Sequence, residues 1–320
     1  MKNSEIWFSK GIAIVKNFNE IDIDSLQHLK DIKMPIRALL DNIPNQEKIS
    51  ILNNEVLTDN ASMFTLVLSS KNTNWINLLD FQCLTHIQNI EIHNTTLGFN
   101  SIEGVQNFRN LKSFKLLHFY EKEMDLKPFS LCETLETLVL DIALTKSHHE
   151  DISNLKKLKT LKVRKLKTAY ITRELSNIEF LEVYNLQDTF LNCKMPNLKN
   201  LRVYNSNSLE NVNFLSSLNN LEWIFLYGLN KVVNLPDFTN LSVLKQVTIQ
   251  NMKGLKDISS LETAKQLTTL CLRNNMTDLS MLSWLKPENF PFLKNLIVEL
   301  KCKKETEMFY ERFKNVKLEN

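Results

Sequence analysis

Glycine and proline are scarce, five and seven among 320 residues. That excludes a low-complexity linker or a tail disordered by composition. Cysteine is sparse too. Cys83, Cys132, Cys193, Cys271 and Cys302 are odd in number, far apart, and never form C-x-x-C. No run approaches the ~18 apolar residues of a membrane span. The apolar piece 11–15 is too short for a secretory core, and no small-residue cleavage site follows it. Reduced thiols and a cytoplasmic setting are therefore expected. The net charge of +3 is too small to imply nucleic acid or an anionic membrane. Richness in Asn, Lys and Ile points to an AT-rich, bacterial source. G-x-S-x-G, H-E-x-x-H, a glycine-rich phosphate loop and a paired-carboxylate signature are all missing. No catalysis, cofactor or metal is implied.

What the sequence does have is a repeat. The pattern apolar-x-x-apolar-x-apolar occurs as MFTLVL from Met63, IQNIEI from Ile87, LKSFKL from Leu111, LETLVL from Leu135 and LKTLKV from Leu158. It continues as IEFLEV from Ile178, LKNLRV from Leu198, LEWIFL from Leu221, LKQVTI from Leu244, LTTLCL from Leu267 and LKNLIV from Leu293. Successive starts differ by 24, 24, 24, 23, 20, 20, 23, 23, 23 and 26 residues. Between motifs an apolar residue recurs about every third position, as in Leu229, Val232, Leu235, Phe238 and Leu241. One such unit cannot bury its own apolar edge, so neighbours must stack into a continuous core.

These motifs resemble the leucine-rich-repeat family, whose period is about 20–29 residues and whose pattern is L-x-x-L-x-L-x-x-N/C-x-L. The resemblance covers about residues 60–300. It implies an α/β solenoid with a curved parallel sheet on the concave face and mixed helical and extended convex segments. The family's asparagine slot is cleanly filled only by Asn275. Leu166, Leu186, Leu229 and Met252 take it elsewhere, and an asparagine often sits one place earlier, as at Asn94, Asn185, Asn205, Asn251 and Asn274. The expected organisation is an N-terminal cap over residues 1–60, about eleven repeats over 61–300, and a C-terminal cap over 301–320. The first cap should hold a strand at 12–15 and helices at 25–30 and 36–40. The second should hold a helix with Met308, Phe309 and Phe313 on one side, then a short strand in VKLEN.

Side chains alternate along a strand, so the motif yields a map of what faces out. The outward columns bring Phe180, Tyr184, Tyr204, Trp223, Phe225 and Tyr227 onto adjacent strands, with Lys162, Arg164 and Arg202 on one flank, Arg273 on the other and Glu182 within. Aromatics and arginine dominate binding hot spots. The expected function is a protein-interaction module whose partner is a protein with an acidic surface. An inhibitor or immunity partner of a toxin or enzyme is one form of this. A nucleic-acid binder using the same stripe is the alternative. Stacked rings can also stabilise a sheet unaided, or serve self-association.

The remaining candidates are weaker. Cys271 falls in an outward column and reads as an accessible thiol without a nearby base. Cys83, Cys132 and Cys193 read as small apolar fillers. His148 and His149 precede Glu150 and Asp151, but adjacent residues diverge on regular elements, so the group reads as a solvated convex loop rather than a metal site. Lys156, Lys157 and Lys159 should face the rim.

Overall fold

The computed structural model describes residues 6–69, 76–94, 99–118, 124–275, 278–300 and 302–314. Two compact units divide the chain, Met1–Lys162 and Val163–Asn320. The first contains β1 (Ile6–Ser9), β2 (Ile12–Val15), β3 (Ile36–Leu40), β4 (Phe64–Ser69), β5 (Asn89–His93), β6 (Ser113–Leu117) and β7 (Thr137–Ala143). The second contains β9 (Phe180–Val183), β10 (Asn200–Tyr204), β11 (Trp223–Tyr227), β12 (Gln246–Gln250), β13 (Thr269–Arg273) and β14 (Asn295–Val298). The division falls inside β8 (Thr160–Lys165). Every motif read from the sequence forms a strand. Within each unit the pairing follows chain order, and β2 to β7 and β9 to β14 are parallel.

Two expectations for the N-terminal region need correction. Residues 36–40 are a strand, not a helix. Ile36, Ala38 and Leu40 are buried while Arg37 and Leu39 are half-exposed, a period of two, and the strand pairs residue by residue with β4. Five apolar residues are too few to show a helical period, so the open edge of β4 decided. The sheet is also not wholly parallel. β1 and β2 form an antiparallel hairpin closed by Lys10 and Gly11, both with positive φ. The expected strand at 12–15 is β2. The expected helix at 25–30 is α1 (Ile23–Gln27), capped by Asp22, followed by a 3₁₀ turn over His28–Asp31. The capping bonds from Ser25 hold the Asp22 carboxyl below its usual range.

The return segments are mostly short 3₁₀ turns, such as Val105–Asn107, Asn213–Ser217 and Ser259–Thr263. Helices α2 (Gln46–Ile51), α3 (Leu57–Asn60), α4 (Lys146–Ile152) and α5 (Leu191–Lys194) are brief as well. Between β11 and β12 the return has turns and an isolated bridge at Asn234 but no helix. This bears out the mixed convex side.

Three of the five displaced asparagines, Asn205, Asn251 and Asn274, now have a physical account. His118, Asn205, Gly228, Asn251 and Asn274 each end a strand in the left-handed region, with φ between 48° and 69°. Only glycine and asparagine visit that region readily. After Asn205, Gly228, Asn251 and Asn274 the next position, the family slot, holds a buried apolar residue, Leu229 or Met252, or a buried polar one that bonds back one repeat. Ser206 Oγ accepts from Leu186 N at 2.8 Å, and Asn275 Oδ1 accepts from Met252 N at 2.9 Å. A further asparagine series sits just before the motifs. Asn110, Asn197 and Asn220 donate to the carbonyls of Thr85, Ser176 and Pro196 in the preceding repeat.

Packing between repeats is close at Gly254. A Cβ there would lie 2.1 Å from the carbonyl oxygen of Asn230, a backbone atom with no rotamer to change. Gly254→Ala is expected to destabilise the second unit by about 1–3 kcal/mol, the usual range for overpacking. A urea midpoint equal to that of the wild type would show that the two backbones can separate freely.

The last strand is covered by α6 (Lys303–Glu311). Phe309 and Phe313 are buried, but Met308 is 53% exposed, so the expected one-sided trio is corrected. Consecutive helical residues lie about 100° apart, and only one of Met308 and Phe309 can point inward. Tyr310, which the sequence reading passed over, accepts from Val298 N at 2.8 Å and so closes part of the edge of β14. The strand expected in VKLEN lies outside the described residues.

Candidate functional site

Strand register sets the aromatic group. Phe180, Asn200 and Trp223 are aligned across β9, β10 and β11, as are Glu182, Arg202 and Phe225, and Tyr204 is aligned with Tyr227. Tyr184 follows β9 directly and is 46% exposed. The other five aromatics are half-buried. Tyr184 and Tyr204 stack at 4.7 Å between centroids and 15° between planes. Tyr204 also meets Phe225 at 5.1 Å and Tyr227 at 6.1 Å. Burial and the carboxylate of Glu182 raise the Tyr204 pKa.

Arg202 stands apart from a simple surface cation. Its guanidinium carbon lies 4.1 Å from the Trp223 ring centre and 5.3 Å from that of Phe180. Its Nη1 is 3.4 Å from Glu182 Oε2, and Glu182 is itself buried. Arg273 is on β13, two strands from β11, and its Nε is 3.5 Å from Glu299 Oε1. Arg164 is half-buried on β8 in the second unit. Lys162, also half-buried, is the last residue of the first. Register thus brings six aromatics and Arg202 together and leaves Arg273 to one side.

The cysteine and histidine readings change. Cys271 is buried, not accessible. Gln250 Nε2 donates to its sulfur at 3.7 Å. Cys132 is the apolar filler expected, and burial pushes its thiol up to about 12. Cys83, in a turn, and Cys193, on α5, are exposed instead. His148 and His149 are not in a solvated loop. They are buried on α4, where Thr145 forms a capping box with His148. His148 Nδ1 accepts from Thr145 N, which leaves Nε2 to donate to Met124 O at 2.6 Å. No group of three metal-ligating side chains occurs among the described residues.

A second polar group, in the first unit, was missed. Glu91 on β5 is 5% exposed. Arg37 on β3 reaches it with both terminal nitrogens, at 2.7 and 3.2 Å. His93 Nε2 lies 2.6 Å from Oε1, and Lys115 Nζ 3.5 Å from Oε2. Burial alone would raise the Glu91 pKa, but the bonds from Arg37 and His93, with the charge of Lys115, carry it down to about 2. Glu91, His93 and Lys115 were legible as outward residues. Arg37 was hidden by the helical reading of its strand.

The rim carries alternating charges. Lys159 pairs with Glu136 at 2.8 Å, Lys199 with Glu179 at 3.1 Å and Lys245 with Glu222 at 3.9 Å. Lys156, Lys157 and Lys159 are exposed, as expected of a rim. Among the described residues no helix is long and apolar enough to cross a membrane.

Parallel strands in chain order, apolar rungs and short return turns at a period of 20–26 residues define an α/β leucine-rich-repeat solenoid. Solved structures of that class resemble this chain at low identity. An internalin of Listeria monocytogenes matches at 16% identity and TM-score 0.50 over 90% of this chain and 87% of that one. A chain of the Drosophila Toll–Spatzle complex matches at 13% identity and TM-score 0.55 over 90% of this chain and 43% of that one. The leucine-rich-repeat domain of the type III effector XopL matches at 17% identity and TM-score 0.41 over 86% and 88%. Neither a protein-family model nor a curated protein matches the chain.

Proposed function

We propose that this chain is a non-catalytic module that binds a partner protein on the outward face of β9–β11. The observation that carries the reading is the convergence of Phe180, Tyr184, Tyr204, Trp223, Phe225 and Tyr227 with Arg202 on three adjacent strands. Large rings held in place bury much area on binding and lose little entropy. Lys162, Arg164 and Arg273 are assigned to the flanks of the contact. The Toll neighbour forms a complex with another protein, which supports the class of partner. A cytoplasmic setting with free thiols belongs to the proposal, as does the division into a cap over 1–60, an array over 61–300 and a cap over 301–320.

The test compares the wild type with Tyr204→Ala/Trp223→Ala/Tyr227→Ala as bait in native lysate, with circular dichroism to establish folding. A folded variant should lose specifically captured proteins, with affinity falling by about two orders of magnitude or more for three hot-spot residues. Retention of every captured protein by the folded variant would refute the assignment.

A further inference from the structure

Among the described residues β1 pairs with β2 alone, so the first hairpin has a strand edge to offer. The backbone N–H of Ala13, the residue opposite Phe8, donates to Pro35 O at 2.9 Å, on the far side of β2. Opposed residues of an antiparallel pair either exchange both bonds or turn away from each other, in alternation. Phe8 and Ile6 therefore direct their backbone N–H and C=O away from β2. The turn agrees. Lys10 and Gly11 both have positive φ, and a two-residue turn of that kind makes its flanking pair, Ser9 and Ile12, the bonded one. Phe8 with Ala13 is then the open pair.

The side chains add to this. I-W-F-S has no charge, no proline and no break in its register, the devices that keep an exposed edge from pairing. Phe8 shares a face of the sheet with its neighbour Ala13. Ala13 is fully buried, yet Phe8 is 64% exposed. Trp7 is on the opposite face, with Lys16 Nζ 3.9 Å from its ring centre, and is 53% exposed. The apolar side of the sheet thus runs one strand beyond its covered part. β14 is different, because Tyr310 already accepts from Val298 N at its edge.

We propose that a second copy of this chain covers this edge, with the two β1 strands pairing antiparallel about a two-fold axis normal to the sheet. The occupant must be an uncharged strand with apolar residues two apart on the core face, and β1 itself meets that requirement with Ile6 and Phe8. Such an axis keeps core face beside core face, so each copy extends the cover over the other's Phe8. The outward backbone groups limit the register, because Phe8 has to oppose Ile6 or Phe8 of the other copy to exchange bonds. Phe8 against Phe8 sets Ile6 against Lys10. Phe8 against Ile6 makes only apolar pairs and sets Trp7 against Trp7, so this is the register assigned. Each copy has one such edge, and the pairing closes at a dimer. The contact is smaller than the ~1,200 Å² of a standard interface, which makes the dimer a weak one with a Kd in the micromolar range.

Sedimentation velocity of the full chain from about 1 to 200 μM brackets that affinity and should show the mass of one copy rising toward that of two. Phe8→Lys puts a charge on the edge and should weaken the dimer at least about tenfold. Phe8→Pro removes an outward donor without costing the hairpin a bond, and should do the same. Circular dichroism establishes that each variant is folded. The register has its own test. With Cys83, Cys193 and Cys302 changed to serine, Trp7→Cys should oxidise to a cross-linked dimer, since opposed residues of a non-bonded pair lie about 4.5 Å apart, within disulfide reach. Ser9→Cys in the same background should not. The alanine triple variant of β10 and β11 should dimerise like the wild type. A chain that stays monomeric throughout overturns the proposal. So does a dimer that folded Phe8→Lys and Phe8→Pro leave unmoved, a species larger than two copies, or a dimer lost with the alanine triple variant. Cross-linking by Ser9→Cys in preference to Trp7→Cys does so as well, and this comparison decides if both Phe8 variants misfold.

Discussion

Arg37→Ala is expected to destabilise the first unit by about 3–5 kcal/mol, the range for stripping the partner from a buried charge. Glu91 is 5% exposed and takes both of its shortest guanidinium contacts from Arg37. Without them burial dominates, and the carboxyl must be neutralised or hydrated. The linkage has a definite sign. The folded pKa of about 2 lies below the ordinary glutamate value of 4.5, so the contribution is present above pH 4.5 and is lost as pH falls toward 2. A shift of that size corresponds to roughly 3 kcal/mol. The variant should lose this acid-dependent limb or move it to higher pH. Glu91→Gln should be milder, because Arg37 is partly exposed and can turn to water. Urea unfolding at pH 7, 5.5, 4 and 3 checks all of this. Amide exchange along β3 and β5 should localise the loss. A variant within about 1 kcal/mol of the wild type at pH 7, with an unchanged pH profile, would mean that the cluster contributes little.

Leu226→Ala should cost about 2–5 kcal/mol, with the upper half of that range expected. Leu226 is 1% exposed and lies between Val203 and Ile249 in adjacent strands, both fully buried. Ladder hydrogen bonds hold those strands at fixed spacing, so the cavity cannot close by collapse. Tyr227, the next residue, faces out and is half-exposed. Its truncation should cost about 1 kcal/mol or less, as for other partly exposed ring contacts. Trp223→Ala should fall between the two, since it also removes the ring under Arg202. Denaturant titration of the three variants gives the order. A Leu226→Ala penalty below that of Trp223→Ala would invert the assignment of the two faces of β11.

These two sites mark how far the sequence could be read. Leu226, Tyr227 and their equivalents were legible because strand alternation is local. Once eleven copies of the motif are aligned, each residue's side of the sheet follows from its place in its own strand. Three of the left-handed residues, Asn205, Asn251 and Asn274, were visible as displaced asparagines, though their purpose was not. Arg37 was illegible because I-R-A-L-L is too short to reveal its period, and pairing with β4 made it a strand. His148 and His149 were misread because a seven-residue helix owes its burial to the segment that covers it, reached through Met124 O.

The sequence by itself determined the period, the α/β repeat class and the division of side chains between core and surface. These depend on positions a few residues apart, repeated often enough to exceed chance. Tertiary structure alone decided the charge partners. Arg37 meets Glu91 across 54 residues and Arg202 meets Glu182 across 20. Whether a cation on the outer face is free or neutralised depends on strand register and on the reach of long side chains over neighbouring strands, and neither is a property of one segment. Four outward cations beside an aromatic stripe read as a surface for acidic partners. Folded, Arg202 is held by Glu182 and Arg273 by Glu299.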